Sequence, residues 1–183
     1  MKIAKYVLDE NSVLIFDCGA NTKGNKKLIR TSKYHYLTLR AKKVGPYKKL
    51  VEFYKCHEKQ TFALNGRIYS YVKMKLRDEV QYIFYSESLY EDQMRNKTKK
   101  FMKELEKNKT KLKKTLKGKQ LGEYVCEEGY IITKGILQKV VDDIPNPYVN
   151  GIEGFFVLQS SIDDEPEKIL SLYKDRDKAE KLI

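Results

Sequence analysis

Short apolar runs and two kinds of periodicity divide the chain into predicted strands and helices. Residues 13–16 are apolar throughout and lie between polar neighbours, as expected of a buried strand. Apolar and polar side chains alternate over 68–76, and the pattern returns over 80–84, which predicts an antiparallel pair within a sheet over 60–86. Over 88–117 the spacing changes to three and four residues, which predicts a long amphipathic helix.

The other predicted elements are shorter. In chain order they are a helix over 23–30, a strand over 34–39, helical turns over 46–54, strand-like segments over 121–141, a loop over 145–154 and a strand over 155–158. Pro166 favours the first turn of a last helix that runs to Ile183. This order of strands and helices predicts an α/β chain.

The net charge of +12 is concentrated in one segment. Twelve basic residues lie between Arg95 and Lys119, against only Glu104 and Glu106, so the rest of the chain is close to neutral. A local basic stripe on a helix favours an anionic partner, most often nucleic acid. A lysine-rich helix that is merely solvated is the alternative.

Cysteine usage and hydropathy limit the location of the protein. The three cysteines lie far apart and form no CxxC pair, so we expect reduced thiols and no zinc site. No apolar run approaches the roughly 18 to 20 residues of a membrane span, and no signal peptide is visible. We therefore expect a cytoplasmic protein without a membrane partner.

Two places in the pattern are candidates for chemistry. Asp17 follows a buried strand and precedes a glycine, where it could be a metal ligand or equally a turn or helix-capping residue. On the last helix, Tyr173 and Glu180 are only about 20° apart around the axis, and Arg176 lies about 60° to one side. By this pattern alone, a solvated flank with an Arg176–Glu180 pair is the better interpretation.

Together these residues resemble a known family. The spacing Tyr173-x2-Arg176-x3-Glu180 resembles the Y-R-E-K signature of DDE transposases from bacterial and archaeal insertion sequences. Residues 13–28 look like the second-aspartate strand of these proteins and the helix after it, and 153–161 followed by 169–176 resembles the strand and helix that lead to the catalytic glutamate. The resemblance implies a partial RNase H-like core interrupted by a β-rich insertion that contains a long basic helix. The core parts would be 1–42 and 151–183, and the insertion 43–150 with the basic helix over 88–117.

The resemblance also implies roles for individual residues. Asp17 would be the second aspartate and Glu180 the glutamate of a carboxylate triad that holds two Mg²⁺ ions, while Tyr173 and Arg176 would contact phosphate. The partner would be DNA, at transposon ends and targets. Backbone contacts by the basic helix would come from Arg95, Lys99, Lys103, Lys107, Lys111 and Lys114.

The chain departs from the family pattern in two places. Only sixteen residues precede Asp17, too few for the first aspartate on a separate strand, and the lysine of the signature would fall beyond Ile183. We therefore expect an incomplete metal site and no cleavage by this chain alone. Two alternatives remain, a nucleic-acid-binding regulator or inhibitor of full-length transposase, and a protein that binds RNA or ribosomes through the basic stripe.

Overall fold

The computed structural model describes residues 11–115, 130–133, 136–139 and 146–180. These residues group into two compact units, with boundaries after Tyr90 and after Glu153. The first unit contains the described residues up to Tyr90 and those from Gly154 onward. The second unit contains the described residues of 91–153.

The chain is α/β, as the sequence predicts. Its described elements are β1 (Val13–Phe16), α1 (Lys23–Thr31), β2 (His35–Leu39), α2 (Val44–Cys56), β3 (Gln60–Leu64), β4 (Arg67–Lys75), β5 (Val80–Tyr85), α3 (Glu87–Thr115), β6 (Tyr130–Thr133), β7 (Ile136–Lys139), β8 (Phe155–Ser160) and α4 (Pro166–Glu180). The thirteen-residue α2 is longer than the one or two turns expected there. The end of the predicted basic helix, residues 116–117, and most of 121–141 lie outside the described residues.

Six strands of the first unit form one mixed sheet in the order β1-β2-β8-β5-β4-β3. Strands β1 and β2 are parallel, and every other neighbouring pair in this sheet is antiparallel. Strand β5 pairs with β8 over six residues, including Ile83 opposite Val157. Strands β3 to β5, which the sequence analysis assigned to an insertion over 43–150, therefore share a sheet with β1, β2 and β8.

Helix α4 covers one face of this sheet. Leu37, Phe84 and Leu158 point to this face and are almost completely buried, together with Ile169 and Leu170 of α4. Burying an aliphatic or aromatic side chain of this size contributes roughly 1.5–3 kcal/mol. The contact therefore fixes the apolar side of α4 against the strands, and with it the orientation of the residues that follow.

Helix α1 packs on the opposite face. Its Ile29 lies in a cluster with Tyr34 and Tyr36, and Leu14 and Phe16 of β1 pack against the same cluster. Tyr36 and Leu37 are neighbours in β2, and successive side chains of a strand point to opposite faces. The β1–α1–β2 segment is thus a parallel unit with its helix on the face opposite α4.

The second unit contains most of α3 and a β6–β7 hairpin, whose register pairs Tyr130 with Lys139. Glu153 is buried and accepts hydrogen bonds from the Lys97 ammonium of α3 and from the backbone N–H groups of Asn150 and Gly151. No helix in the described part of the chain is long and apolar enough to cross a membrane.

Candidate functional site

Asp17 follows β1 directly and is exposed. Its Oδ1 accepts hydrogen bonds from the N–H groups of Gly19 at 2.9 Å and Ala20 at 3.3 Å, and its backbone carbonyl accepts one from Thr38 Oγ1 at 3.1 Å. The contacts of Oδ1 are those of an aspartate that stabilises a turn. The bond from Thr38 ties the backbone of this turn to the neighbouring strand β2.

Polar contacts at two places along α4 establish its direction. Before its first turn, Asp163 accepts from Lys73 Nζ at 2.5 Å and from Lys75 Nζ at 2.6 Å, at the end of β4. Further along, Lys174 Nζ lies 2.5 Å from the hydroxyl of Tyr69, near the start of β4. Helix α4 therefore runs opposite to β4.

The strand pairings also give the direction of α4 relative to β1, the strand that precedes Asp17. Following the antiparallel pairs from β4 through β5 and β8 to β2, and then the parallel pair to β1, shows that β1 runs opposite to β4. Helix α4 and β1 therefore run in the same sense. The C-terminal end of α4, at Glu180, therefore points to the same end of the sheet as Asp17. The side chain of Glu180 is not among the described side chains.

Tyr173 and Arg176 lie together on α4. Tyr173 packs partly buried against the core of the sheet. The Arg176 guanidinium lies 4.8 Å from the centre of the Tyr173 ring, a cation–π contact. Two of the four residues predicted for the catalytic end of the site are thus in direct contact, and both precede Glu180 on the same helix.

A metal centre is not assembled by the described residues. Among them, no three histidine, cysteine, aspartate or glutamate side chains lie close enough together to hold an ion. Asp17 is the one predicted ligand whose side chain is described. A two-metal site needs carboxylates from several elements, and Asp17, in the turn after β1, would supply one of them.

The predicted DNA-contacting residues of α3 lie in a line. Arg95, Lys99, Lys103 and Lys107 are exposed and four residues apart, which gives a stripe that drifts by about 40° per step around the helix. Arg95 also pairs with Asp92 at 2.9 Å, so part of its charge is compensated. The side chains of Lys111 and Lys114 lie outside the described ones.

Two other lysines of α3 make contacts within the second unit. Lys97 binds Glu153, as described above, and Lys100 Nζ lies 4.1 Å above the ring of Tyr148. The Tyr148 hydroxyl in turn donates a hydrogen bond to Glu104. These contacts tie one side of α3 to the loop before β8 and leave the stripe of Arg95, Lys99, Lys103 and Lys107 exposed.

A polar network that was not predicted from the sequence lies on the α1 face of the sheet. Glu79 accepts hydrogen bonds from Lys26 at 2.8 Å, Tyr36 at 2.9 Å, Gln81 at 2.9 Å and Gln159 at 2.6 Å. Burial alone would raise the pKa of Glu79, but the bonds from Lys26 and Gln81 outweigh it and hold the pKa below its usual value. The spacing of Lys23, Lys26, Lys27 and Arg30 on one helix face was the available signal.

Comparison of the chain with family models, with curated proteins and with solved structures finds no match in any of the three.

Proposed function

We propose that this chain is part of a DDE transposase, in which Asp17 and Glu180 are two of the three metal-binding carboxylates. The intact protein would bind DNA and carry out metal-dependent phosphodiester cleavage and strand transfer. The observation that carries the proposal is the common direction of β1 and α4, which points both carboxylate-bearing ends to the same end of the sheet. A shared site requires this common direction, and it also requires the end of α4 to reach across from β4 to β1, four strand positions or about 19 Å away in the sheet.

The finer proposal concerns the architecture. The parallel β1–α1–β2 segment, with α1 on one face of the sheet and α4 on the other, supports a partial RNase H-like core. In this proposal the core part over 1–42 supplies Asp17 and the part over 151–183 supplies Glu180. Strands β3 to β5 extend the same sheet, and the basic helix lies in the segment between the two parts.

Tyr173 and Arg176 would act on the phosphate next to the scissile bond. A guanidinium donates two parallel hydrogen bonds to phosphate oxygens, and stacking on an aromatic ring restricts its orientation. The Arg176–Tyr173 contact supplies this restriction one turn before Glu180. Replacement of Arg176 by lysine would keep the charge but remove both the fork of donors and the planar stack.

Metal chemistry is proposed for the intact protein only. Mg²⁺ ions held by three carboxylates would stabilise the attacking and leaving oxygens of the phosphodiester. Asp17 and Glu180 are two such groups, and a site lacking one of three charges binds a hard cation weakly. The purified chain is therefore expected to show no nuclease activity. Cleavage that disappears in both Asp17→Ala and Glu180→Ala would contradict this expectation.

The DNA on both sides of the reading frame tests the proposal. Upstream sequence that encodes a strand ending in aspartate, together with a lysine codon seven positions after Glu180, is the expected result. Activity would then be sought in the protein that contains all of these segments. Flanks without either feature would remove the transposase proposal and favour the second candidate.

The second candidate is a nucleic-acid-binding protein or a regulator of full-length transposase, and the exposed stripe on α3 favours it. Because each phosphate contact contributes about 0.9 to the slope of log K against log salt for duplex DNA, replacing Lys99 and Lys103 by glutamine should lower the magnitude of that slope by about 1.8. The control variant Lys48→Gln/Lys49→Gln removes the same charge from exposed positions on α2 and should leave the slope unchanged. Absence of duplex binding at low salt would remove this candidate.

A further inference from the structure

A basic cleft lies on the α1 face of the first unit and has a volume of about 860 Å³. Helix α1 contributes four cations to its lining, Lys23, Lys26, Lys27 and Arg30. The segment after β2 and the β4–β5 turn contribute three more, Arg40, Lys43 and Arg77. Against these seven cations, the lining contains the carboxylates of Asp78 and Glu79 only, so the cleft has a formal excess of five positive charges.

Few of these cations are neutralised. Lys26 binds Glu79 at 2.8 Å, and Arg30 lies 3.6 Å from Asp78, a pair exposed to solvent. Of the other five, Arg40 donates a hydrogen bond to Gln81, and Lys23, Lys27, Lys43 and Arg77 are exposed and make no ion pair with a carboxylate in the described part of the chain. Like charges within about 8 Å repel at physiological ionic strength, and an anion in the cleft would relieve such repulsion.

The floor of the cleft is polar where a sheet face is ordinarily apolar. Gln81 and Gln159 face each other across β5 and β8 and are only 3% and 7% exposed. Each is held by hydrogen bonds, Gln81 to Arg40 and Glu79, and Gln159 to Asn21 and Glu79. A floor of fixed amides between cationic walls suits a hydrated, charged ligand and disfavours an apolar one.

We propose that the basic cleft binds the sugar–phosphate backbone of a nucleic-acid strand, through residues other than those of the α3 stripe. The inference rests on the proposed function, because it gives the same protein a second contact with its nucleic acid. The α1 cations from Lys23 to Arg30 span about 10 Å at 1.5 Å per residue. At a rise of about 3.4 Å per nucleotide along the axis of a duplex, this length corresponds to roughly three nucleotides of one strand when α1 lies along that axis. The cleft is also far larger than a single phosphate needs.

The double variant Lys27→Gln/Arg77→Gln removes two of the cations that lack a carboxylate partner. Binding of a short fluorescent single strand and of a short duplex is measured by anisotropy between about 50 and 200 mM salt. The magnitude of the slope of log K against log salt should fall by about 1.4 for the single strand or about 1.8 for the duplex. The control variant Lys48→Gln/Lys49→Gln removes the same charge from α2 outside the cleft and should leave the slope unchanged.

Three results would overturn the inference. They are an unchanged slope in the cleft variant, an equal fall in the cleft and α2 variants, and displacement of the strand by inorganic tripolyphosphate at the same phosphate concentration. The second variant Lys23→Gln/Lys43→Gln repeats the test if the first does not fold. If the unaltered chain binds no nucleic acid, the proposed function fails as well. If it binds but the cleft variants leave the slope unchanged, only this inference fails.

Discussion

Glu79 is the central acceptor of the polar network beneath the basic cleft, and its replacement by glutamine should destabilise the fold. The carboxylate accepts four hydrogen bonds, one of them from the Lys26 ammonium at 2.8 Å. Glutamine has nearly the same volume, but one of its terminal groups is a donor. This donor would face another donor from Tyr36 or a neighbouring glutamine, and Lys26 would lose its counter-charge.

The size of the effect follows from burial and charge. The side chains of Lys26 and Glu79 are 12% and 14% exposed, so the pair is largely but not completely withdrawn from water. A hydrogen bond to a charged group contributes roughly 1.5–3 kcal/mol, and a buried donor without an acceptor costs roughly 1–3 kcal/mol. Because Lys26 borders an open cleft and its ammonium can turn to solvent, we expect a loss of about 3 kcal/mol for Glu79→Gln.

Urea unfolding at neutral pH measures this loss, and Asp78→Asn is the matched control. Asp78 is the adjacent acid, but its side chain is 61% exposed and lies 3.6 Å from Arg30, so its removal should change the free energy of unfolding by less than about 0.5 kcal/mol. The m-value should be unchanged in both variants. A loss below about 1 kcal/mol for Glu79→Gln, or equal losses in the two variants, would refute the reasoning.

The pKa of Glu79 adds a pH dependence to the same experiment. Because the folded-state pKa is lower than the usual value of 4.5, the stabilisation is present above that value and is lost as the pH falls through the folded pKa. The unaltered protein should therefore lose stability more steeply than Glu79→Gln on acidification below pH 4.5. Parallel curves for the two proteins would mean that the carboxylate is not stabilised by the network.

Two further predictions test local features. Gly151 and Gly154 both have positive φ, but an added Cβ would lie in open space at Gly151 and only 2.6 Å from the Tyr85 ring at Gly154. Gly151→Ala should therefore lower the free energy of unfolding by about 1–2 kcal/mol, through backbone strain alone, and Gly154→Ala should lower it by at least about 1 kcal/mol more. Thermal unfolding of the two variants measures the difference. Burial would raise the pKa of Glu153, but Lys97 and backbone N–H groups lower the pKa to about 2. The protein should therefore lose about 1–2 kcal/mol of stability as the pH falls from 4.5 to 2, and Glu153→Gln should not show this loss.

Local periodicity predicted the elements well because it depends on neighbours in the chain. The alternation over 68–76 corresponds to β4 over Arg67–Lys75, and the three-four spacing over 88–117 corresponds to α3 over Glu87–Thr115. The same patterns contain no information about which strands pair. That β5 lies next to β8, and so joins β3 and β4 to the sheet of β1, depends on contacts between residues seventy or more positions apart.

Only the part of the candidate site that lies within one helix was predictable from the sequence. Tyr173 and Arg176 are three residues apart on one helix, so their contact follows from helical geometry. The network around Glu79 joins α1, β2, β5 and β8, and no single segment reveals it. Gln81 and Gln159 in particular interrupt apolar strands, and only the register shows that they face each other and bind the same carboxylate.

The separation between Asp17 and Glu180 tests the central claim most directly. Spin labels on cysteines at both positions, in a chain whose three native cysteines are serines, should show strong dipolar broadening if the two carboxylates share a site, which the common direction of β1 and α4 permits. A label pair at Asp17 and Glu167, about 20 Å further back along α4, should show little or none. Broadening for the Glu167 pair instead of the Glu180 pair, or for neither, would contradict a shared carboxylate site.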